Sequence, residues 1–187
     1  MIFPLFKYVY KSKRTISRKK IKFVNTLRYY SFTLLIMKTT ENDLQVLNLL
    51  SDDDRCSRVL KDVRLTQEFS CKSCGASSHY WLPSKGAFQC KKCRFRTSLK
   101  SGTILQGSKL PLSYWFKTVY FISRYPHLSA YELQKLLGHK FYEPILLIMR
   151  KVKPLFLNSG SKTLSHNSPG QLIEGIGRHL AIGNTHS

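Results

Sequence analysis

The chain of 187 residues is poor in acidic residues and in long apolar runs. It holds 10 aspartates and glutamates against 31 lysines and arginines, which gives a formal charge of +21. The apolar run at 34–37 falls far below the roughly 20 residues of a membrane-spanning helix. The charge favours a polyanion, either nucleic acid or an anionic membrane surface, and we expect nucleic acid and no membrane partner.

Cysteine is also scarce, but four of the five cysteines follow one spacing. Cys71 and Cys74 form a first Cys-x-x-Cys pair, and Cys90 and Cys93 form a second after fifteen intervening residues. Two such pairs can bring four thiolates around one zinc ion in a tetrahedron. Four protein ligands leave no open position for water or substrate, so the sequence predicts one structural Zn²⁺. Gly75 is suited to the left-handed backbone that often follows a metal knuckle.

Other interpretations of these residues exist. Disulfides would suit a small secreted domain, but the chain lacks a convincing secretion signal, so we expect reduced thiols in the cytoplasm. His79 is an alternative ligand, although four cysteines already complete the site and a hairpin strand is its expected place. Cys56 lies in an apolar helical pattern, which predicts a buried, unreactive thiol.

The local patterns predict a small, zinc-stabilised α+β fold with short N-terminal helices, a four-cysteine zinc-ribbon hairpin, a three-helix module and disordered ends. Segment 1–36 has nine basic residues and no acid; we interpret it as a disordered extension, or as the product of a start codon chosen upstream of Met37. The predicted segments are the extension 1–36, a helical segment 37–66, the zinc ribbon 67–101, a linker 102–111, a helix-turn-helix 112–158, and a disordered or frameshifted tail 159–187.

The helical patterns of the fifth segment are typical of DNA recognition. A capping box at 129–132, a stop at Gly138 and a basic last helix that Pro154 is expected to end match a helix-turn-helix, although plain three-helix packing is the alternative. The basic residues near the cysteines would also stabilise a zinc tetrathiolate of net charge minus two. The residues predicted to contact DNA are Lys72, Lys91, Lys92, Arg94, His139, Lys140, Tyr142, Arg150, Lys151 and Lys153.

Several short runs between about residues 65 and 154 carry a family resemblance as a set. They are Cys-x-x-Cys-Gly, His79-Tyr80-Trp81, Phe88-Gln-Cys90-Lys-Lys-Cys93, Arg96-Thr-Ser98, Ser101-Gly-Thr103, Ser108-Lys-Leu-Pro111, Trp115-Phe116, Ser129-Ala130-Tyr-Glu132-Leu133-Gln134, Leu137-Gly-His139-Lys140 and Tyr142-Glu-Pro144. This set resembles the amino-terminal part of bacterial insertion-sequence transposases that begin with a zinc ribbon. Arg94 stands where many members of that family have glycine.

The resemblance implies binding to the terminal repeats of the element, with strand transfer left to a following ribonuclease-H-like domain that holds two metal ions by carboxylates. After Pro154 this chain has one acid, Glu174, in a run that faintly resembles the family's first catalytic strand. We therefore expect a truncated, catalytically inactive chain with no catalytic residue and no small-molecule substrate.

The expected partners and location follow from the same resemblance. They are double-stranded DNA of the terminal repeats and a full-length transposase, in the bacterial cytoplasm at the nucleoid. The alternative is a zinc-ribbon and helix-turn-helix transcription regulator, or an RNA-binding module.

Overall fold

The computed structural model describes residues 41–67, 69–157 and 169–181. The predicted extension 1–36 lies outside these residues. The described elements, in chain order, are helices α1 (Glu41–Leu49) and α2 (Asp53–Thr66), strands β1 (His79–Leu82), β2 (Ala87–Cys90) and β3 (Arg96–Ser98), and helices α3 (Leu112–Arg124), α4 (Ala130–Leu137), α5 (Tyr142–Leu157) and α6 (Pro169–Ala181). Within these residues, no helix combines the length and apolar character required to cross a membrane.

The three strands form one antiparallel sheet in the order β1-β2-β3. Strands β1 and β2 form the predicted hairpin, joined by a short 3₁₀ helix at Pro83–Lys85 and by Gly86, which adopts a left-handed backbone. Because side chains alternate between the faces of a strand, the register Trp81–Phe88–Thr97 defines one face and Tyr80–Gln89–Arg96 defines the other. Phe88 and Thr97 are buried, so the first face covers the small core of the ribbon.

Helix α2 begins at a cap that the first of three adjacent aspartates supplies. The carboxylate of Asp52 accepts hydrogen bonds from the backbone N–H groups of Asp54 and Arg55, as expected for an N-cap. Asp53 instead accepts a 2.8 Å bond from the backbone N–H of Ser113, in the first turn of α3. One short acidic run therefore caps two helices and ties α2 to α3.

The main core lies among helices α2, α3, α5 and α6. Helix α3 packs against α2, α4, α5 and α6, which places it at the centre of the helical part. The largest fully buried side chains there are Trp115, Phe116 and Val119 of α3, Ile145 and Ile148 of α5, and Ile176 and Leu180 of α6, with Leu60 from α2.

The prediction of disorder over 159–187 is wrong for residues 169–181, which form α6. This helix packs against α2 and α3 and buries Ile173, Ile176 and Leu180. Gly177 makes close approach possible, because a Cβ atom there would lie only 3.0 Å from Cγ1 of Val59. The rest of the predicted tail lies outside the described residues.

Residues 102–111, which were predicted to be a linker, pack closely in the structure. Thr103, Ile104 and Leu105 are buried in a run of turns. The ammonium group of Lys100 donates to the carbonyl oxygens of Ser108 and Leu110, at 3.3 and 2.8 Å. This segment is therefore a packed connection between the ribbon and α3.

Helices α4 and α5 follow the predicted pattern at their junction. Ser129 and Glu132 form the predicted capping box, and Gly138 ends α4 with a left-handed φ of 63°. Helix α5, however, continues through Pro154 to Leu157. Proline removes one backbone donor, but the packed helix tolerates that loss here, so the prediction that Pro154 ends the helix is wrong.

Candidate metal centre and basic surface

Two loops of nearly identical backbone bring the four cysteines together. The first knuckle is residues 71–76 and the second knuckle is residues 90–95. In the first, the N–H of Gly75 donates to the carbonyl of Cys71 at 2.9 Å; in the second, the N–H of Arg94 donates to the carbonyl of Cys90 at 3.0 Å. Each loop is closed by a further bond from the N–H of its first cysteine to the carbonyl oxygen of its last residue, Ala76 or Phe95.

The four sulfur atoms form a compact cluster suited to one metal ion. All lie within 4.8 Å of one another, and the Sγ atoms of Cys71 and Cys93, and of Cys74 and Cys90, are 3.6 Å apart. The cysteines are free, with no disulfide among them. A Zn–S bond of about 2.3 Å in a tetrahedron places sulfur atoms about 3.8 Å apart. The donor set and its spacing thus fit one structural Zn²⁺.

Backbone donors favour the thiolate form that zinc requires. The pKa of the Cys93 thiol is lowered to about 6, first because the N–H of Phe95 donates to its sulfur. At Cys74 the N–H of Ala76 also lowers the pKa, but the neighbouring cysteine side chains and desolvation together raise it by more, to about 12. Four closely spaced sulfurs cannot all ionise without a cation between them, so metal binding releases protons.

Arg64 of α2 contacts the ribbon and stabilises it, a role that no sequence pattern indicated. Its guanidinium donates to the carbonyl oxygens of Ser98 and Leu99, at 3.2 and 2.7 Å. It also lies over the rings of Phe69 and Phe88, at 4.5 and 5.2 Å from their centroids. Burial lowers the pKa of Arg64. A buried arginine therefore joins the helical part to the sheet.

His79 lies in β1, opposite Cys90 in the register, and is not among the clustered ligands. Its ring stacks on Phe69 with a centroid distance of 4.2 Å, and its Nδ1 lies 2.9 Å from the carbonyl oxygen of Ser77. Cys56 is fully buried, and desolvation raises the pKa of its thiol to about 12. Both positions agree with the structural roles expected of them.

The four predicted DNA contacts of the ribbon are exposed and belong to the two knuckles. Lys72 lies in the first knuckle, whereas Lys91, Lys92 and Arg94 lie in the second. Because the knuckles meet at the sulfur cluster, these cations surround the metal site. They would offset the negative charge of a zinc tetrathiolate, and they are accessible to solvent.

The six predicted contacts around α5 have different surroundings. Lys140, Tyr142 and Arg150 are exposed, and Lys153 is half-buried. His139 is half-buried; its Nδ1 accepts from the N–H of Phe141, and its ring meets Tyr114 edge-on at 5.3 Å. The ammonium of Lys151 donates to the carbonyl oxygens of residues 104 and 106. His139 and Lys151 thus already make contacts within the protein.

The faint resemblance to a catalytic strand suggested that Glu174 lies in a strand, but it does not. It is an exposed residue of α6, and its carboxylate lies 3.9 Å from the guanidinium of Arg178, one turn away. Within residues 41–67, 69–157 and 169–181, the four cysteines are the only group of three or more potential metal ligands close enough to share an ion.

Comparison with known proteins adds one finding. No curated protein and no solved structure matches the chain. Residues 51–96 match the family model described as the transposase zinc-ribbon domain, and this range includes α2, the sheet up to Arg96 and all four clustered cysteines. The match and the sulfur geometry together indicate a zinc-ribbon domain of the transposase type.

Proposed function

We propose that this chain is the DNA-binding amino-terminal part of an insertion-sequence transposase and binds the terminal repeats of its element. The observation that carries the proposal is the four-sulfur cluster within residues 51–96, the range that matches transposase zinc ribbons. A formal charge of +21 suits a polyanionic partner. Such a protein acts in the bacterial cytoplasm, on DNA at the nucleoid.

Helices α4 and α5 are proposed to form a helix-turn-helix, with α5 as the recognition helix. The capping box and Gly138 fix both ends of α4, and Gln134 stabilises the turn by donating to the carbonyl oxygens of His139 and Lys140, at 3.0 and 3.2 Å. The exposed side of α5 includes Leu147 and Arg150. In this type of module the second helix enters the major groove, where arginine contacts bases or phosphates and apolar groups contact thymine methyls.

The proposal assigns binding, and no strand cleavage, to the described residues. Strand transfer by two metal ions needs converging carboxylates, and several acids of the described part have structural roles instead. Asp52 and Asp53 cap helices, Glu132 closes the capping box, and Asp43 accepts a hydrogen bond from the hydroxyl of Tyr120. A binding-only chain would compete with a full-length transposase for the repeats.

The test is fluorescence anisotropy with a duplex containing the inverted repeats that flank the gene. An unrelated duplex of equal length and heparin serve as competitors. We expect the protein to prefer the repeat duplex. We also expect the logarithm of its affinity to fall linearly with the logarithm of the salt concentration. Substituting Lys140 and Arg150 by alanine together should reduce the salt slope by about 2, because each lost phosphate contact removes about 1. Arg58→Ala, which removes a charge from α2, is the matched control.

Two outcomes would overturn the proposal. Equal binding to every duplex and to heparin would exclude specific recognition. Stronger binding to promoter DNA or to structured RNA would instead support a transcription regulator or an RNA-binding module.

A further inference from the structure

The two knuckles share one backbone conformation but place different residues at its left-handed position. Gly75 has a φ of +73° in the first knuckle, and Arg94 has a φ of +61° in the second. Among the described residues, Arg94 is the only residue other than glycine with a positive φ. The matching hydrogen bonds of the first knuckle indicate that glycine would satisfy the same turn.

This choice of residue has a cost in stability. A left-handed backbone is unfavourable for a residue with a Cβ atom, whereas glycine adopts it freely. Strained positions of this kind concentrate at functional sites, where the side chain has a use that offsets the strain. The side chain of Arg94 is exposed, so its use would be a contact with a partner molecule.

Other side chains of the second knuckle are also exposed to solvent. Phe95 is 43% exposed, at the position that Ala76 occupies in the first knuckle. Lys91 and Lys92 are both exposed between the two cysteines. An exposed aromatic ring beside three exposed cations suits a partner that offers both an aromatic face and negative charge.

A hydrogen-bond chain holds this knuckle in position. The side-chain amide of Gln89 donates to the carbonyl oxygen of Arg94 at 3.0 Å, and the hydroxyl of Tyr80 donates to the amide oxygen of Gln89 at 2.7 Å. Arg94 and the following Phe95 are therefore fixed from the sheet as well as by the cysteines. A backbone held this way loses little conformational entropy when the side chains it carries bind a partner.

We propose that the second knuckle is the point at which the ribbon contacts DNA, with Phe95 stacked on the face of a base and Arg94, Lys91 and Lys92 on the flanking phosphates. This inference rests on the proposed DNA binding and adds the residues and the ligand chemistry. A base face becomes available either at an unpaired nucleotide or at a base step that the protein opens. Both sources offer the same chemistry to the ring.

The test compares a blunt repeat duplex with the same duplex carrying a short single-stranded tail. Stacking on an aromatic side chain contributes enough that Phe95→Ala should weaken binding about tenfold. Phe95→Trp should restore the affinity, because it preserves the stacking surface. Leu65→Ala is the matched control, since it removes an exposed apolar side chain from α2. Zinc content and melting temperature of each variant establish that the ribbon is folded.

The outcomes separate the two proposals. A loss confined to the tailed duplex assigns the contact to an unpaired nucleotide, and an equal loss on both duplexes assigns it to an opened base step. If Phe95→Ala and Arg94→Gly bind like the unaltered protein while Arg150→Ala binds more weakly, the knuckle proposal is overturned and DNA binding stands. If the unaltered protein binds neither duplex, both proposals fail.

Discussion

The ribbon and the helical part of this protein are stabilised in different ways. In the ribbon, Phe88 is the one large side chain that is fully buried in the described residues, and four cysteines cluster at one end. The helical part buries Trp115, Phe116, Ile145 and many other apolar side chains. A small unit that cannot bury enough apolar surface needs a metal, whereas a larger one does not.

This difference indicates that the two parts can fail separately, although they are joined. Connections between them include Arg64, which reaches the ribbon from α2. Lys151 of α5 reaches the packed turns at 103–106, which follow the ribbon. If apolar burial alone stabilised the helices and zinc alone stabilised the ribbon, each substitution would destabilise only the part in which it lies. The following variants test this division.

The largest effect is expected for Cys90→Ser. Loss of one ligand leaves an incomplete tetrahedron, and structural zinc contributes on the order of 10 kcal/mol to folding in small zinc domains. We expect loss of bound zinc and of the ribbon's cooperative melt, while the helical circular dichroism signal stays. Metal analysis and thermal melting measure this, with Cys56→Ala as the variant that keeps its zinc. Full zinc content in Cys90→Ser would contradict the structural site.

The converse substitution is Ile145→Ala. This side chain is fully buried between α5 and its neighbours, and large-to-small substitutions in a core cost about 2–5 kcal/mol. The helical part should unfold at lower urea concentration while the zinc content stays at its original value. Leu147→Ala, in the same helix but 56% exposed, should change little. Zinc loss in parallel with helix unfolding would show that the two parts form one cooperative unit.

Gly177→Val tests the contact between α6 and α2. The added Cβ would meet Val59 at 3.0 Å and Val63 at 3.3 Å, so the helices must separate, at a cost of about 1–3 kcal/mol. Gly170→Val is the comparison, because nothing lies within 4 Å of a Cβ there. Equal denaturation midpoints for the two variants would contradict the packing described for α6.

Arg64→Met tests the connection between the parts. It keeps an apolar stem but removes both hydrogen bonds to the carbonyl oxygens of Ser98 and Leu99. Unpaired buried acceptors cost about 1–3 kcal/mol. We expect hydrogen exchange to rise at β3 with zinc retained. Lys61→Met is the control in the same helix, and unchanged exchange at β3 would show that Arg64 does not join the two parts.

The smallest effect, and one of opposite sign, is expected for Arg94→Gly. Relief of the left-handed strain should stabilise the zinc-loaded ribbon by about 1 kcal/mol. Arg96→Gly is the matched control, because Arg96 lies in β3 and glycine weakens a strand. A lower melting temperature for Arg94→Gly would mean that the arginine stabilises the knuckle in a way that outweighs its strain.

The sequence predicted the elements that local chemistry specifies. Cysteine spacing predicted the ribbon, the pair Ser129 and Glu132 predicted the start of α4, and Gly138 predicted its end. The four clustered ligands were predicted by residue number, and the structure brings all four together.

The sequence could not predict features that depend on distant residues. Helix α6 contains Gly175 and Gly177, each of which disfavours an isolated helix by about 1 kcal/mol, and packing against α2 and α3 overrides that preference. In the sequence alone, Arg64 resembles an ordinary surface charge, because the ribbon residues that it contacts are distant in the chain. Likewise, the bond from Ser113 to Asp53 joins residues sixty positions apart, which no local pattern encodes.

The packing of α6 on α2 has a consequence for synthesis of the chain. Val59 and Gly177 are neighbours in space but lie more than a hundred residues apart in the sequence. A ribosome that releases the chain from its amino end delivers α2 long before α6, and domains fold in the order in which they emerge. The part of α2 that α6 covers therefore stays open to chaperones or to neighbouring chains until α6 emerges, whereas the zinc ribbon can close as soon as Cys93 is free.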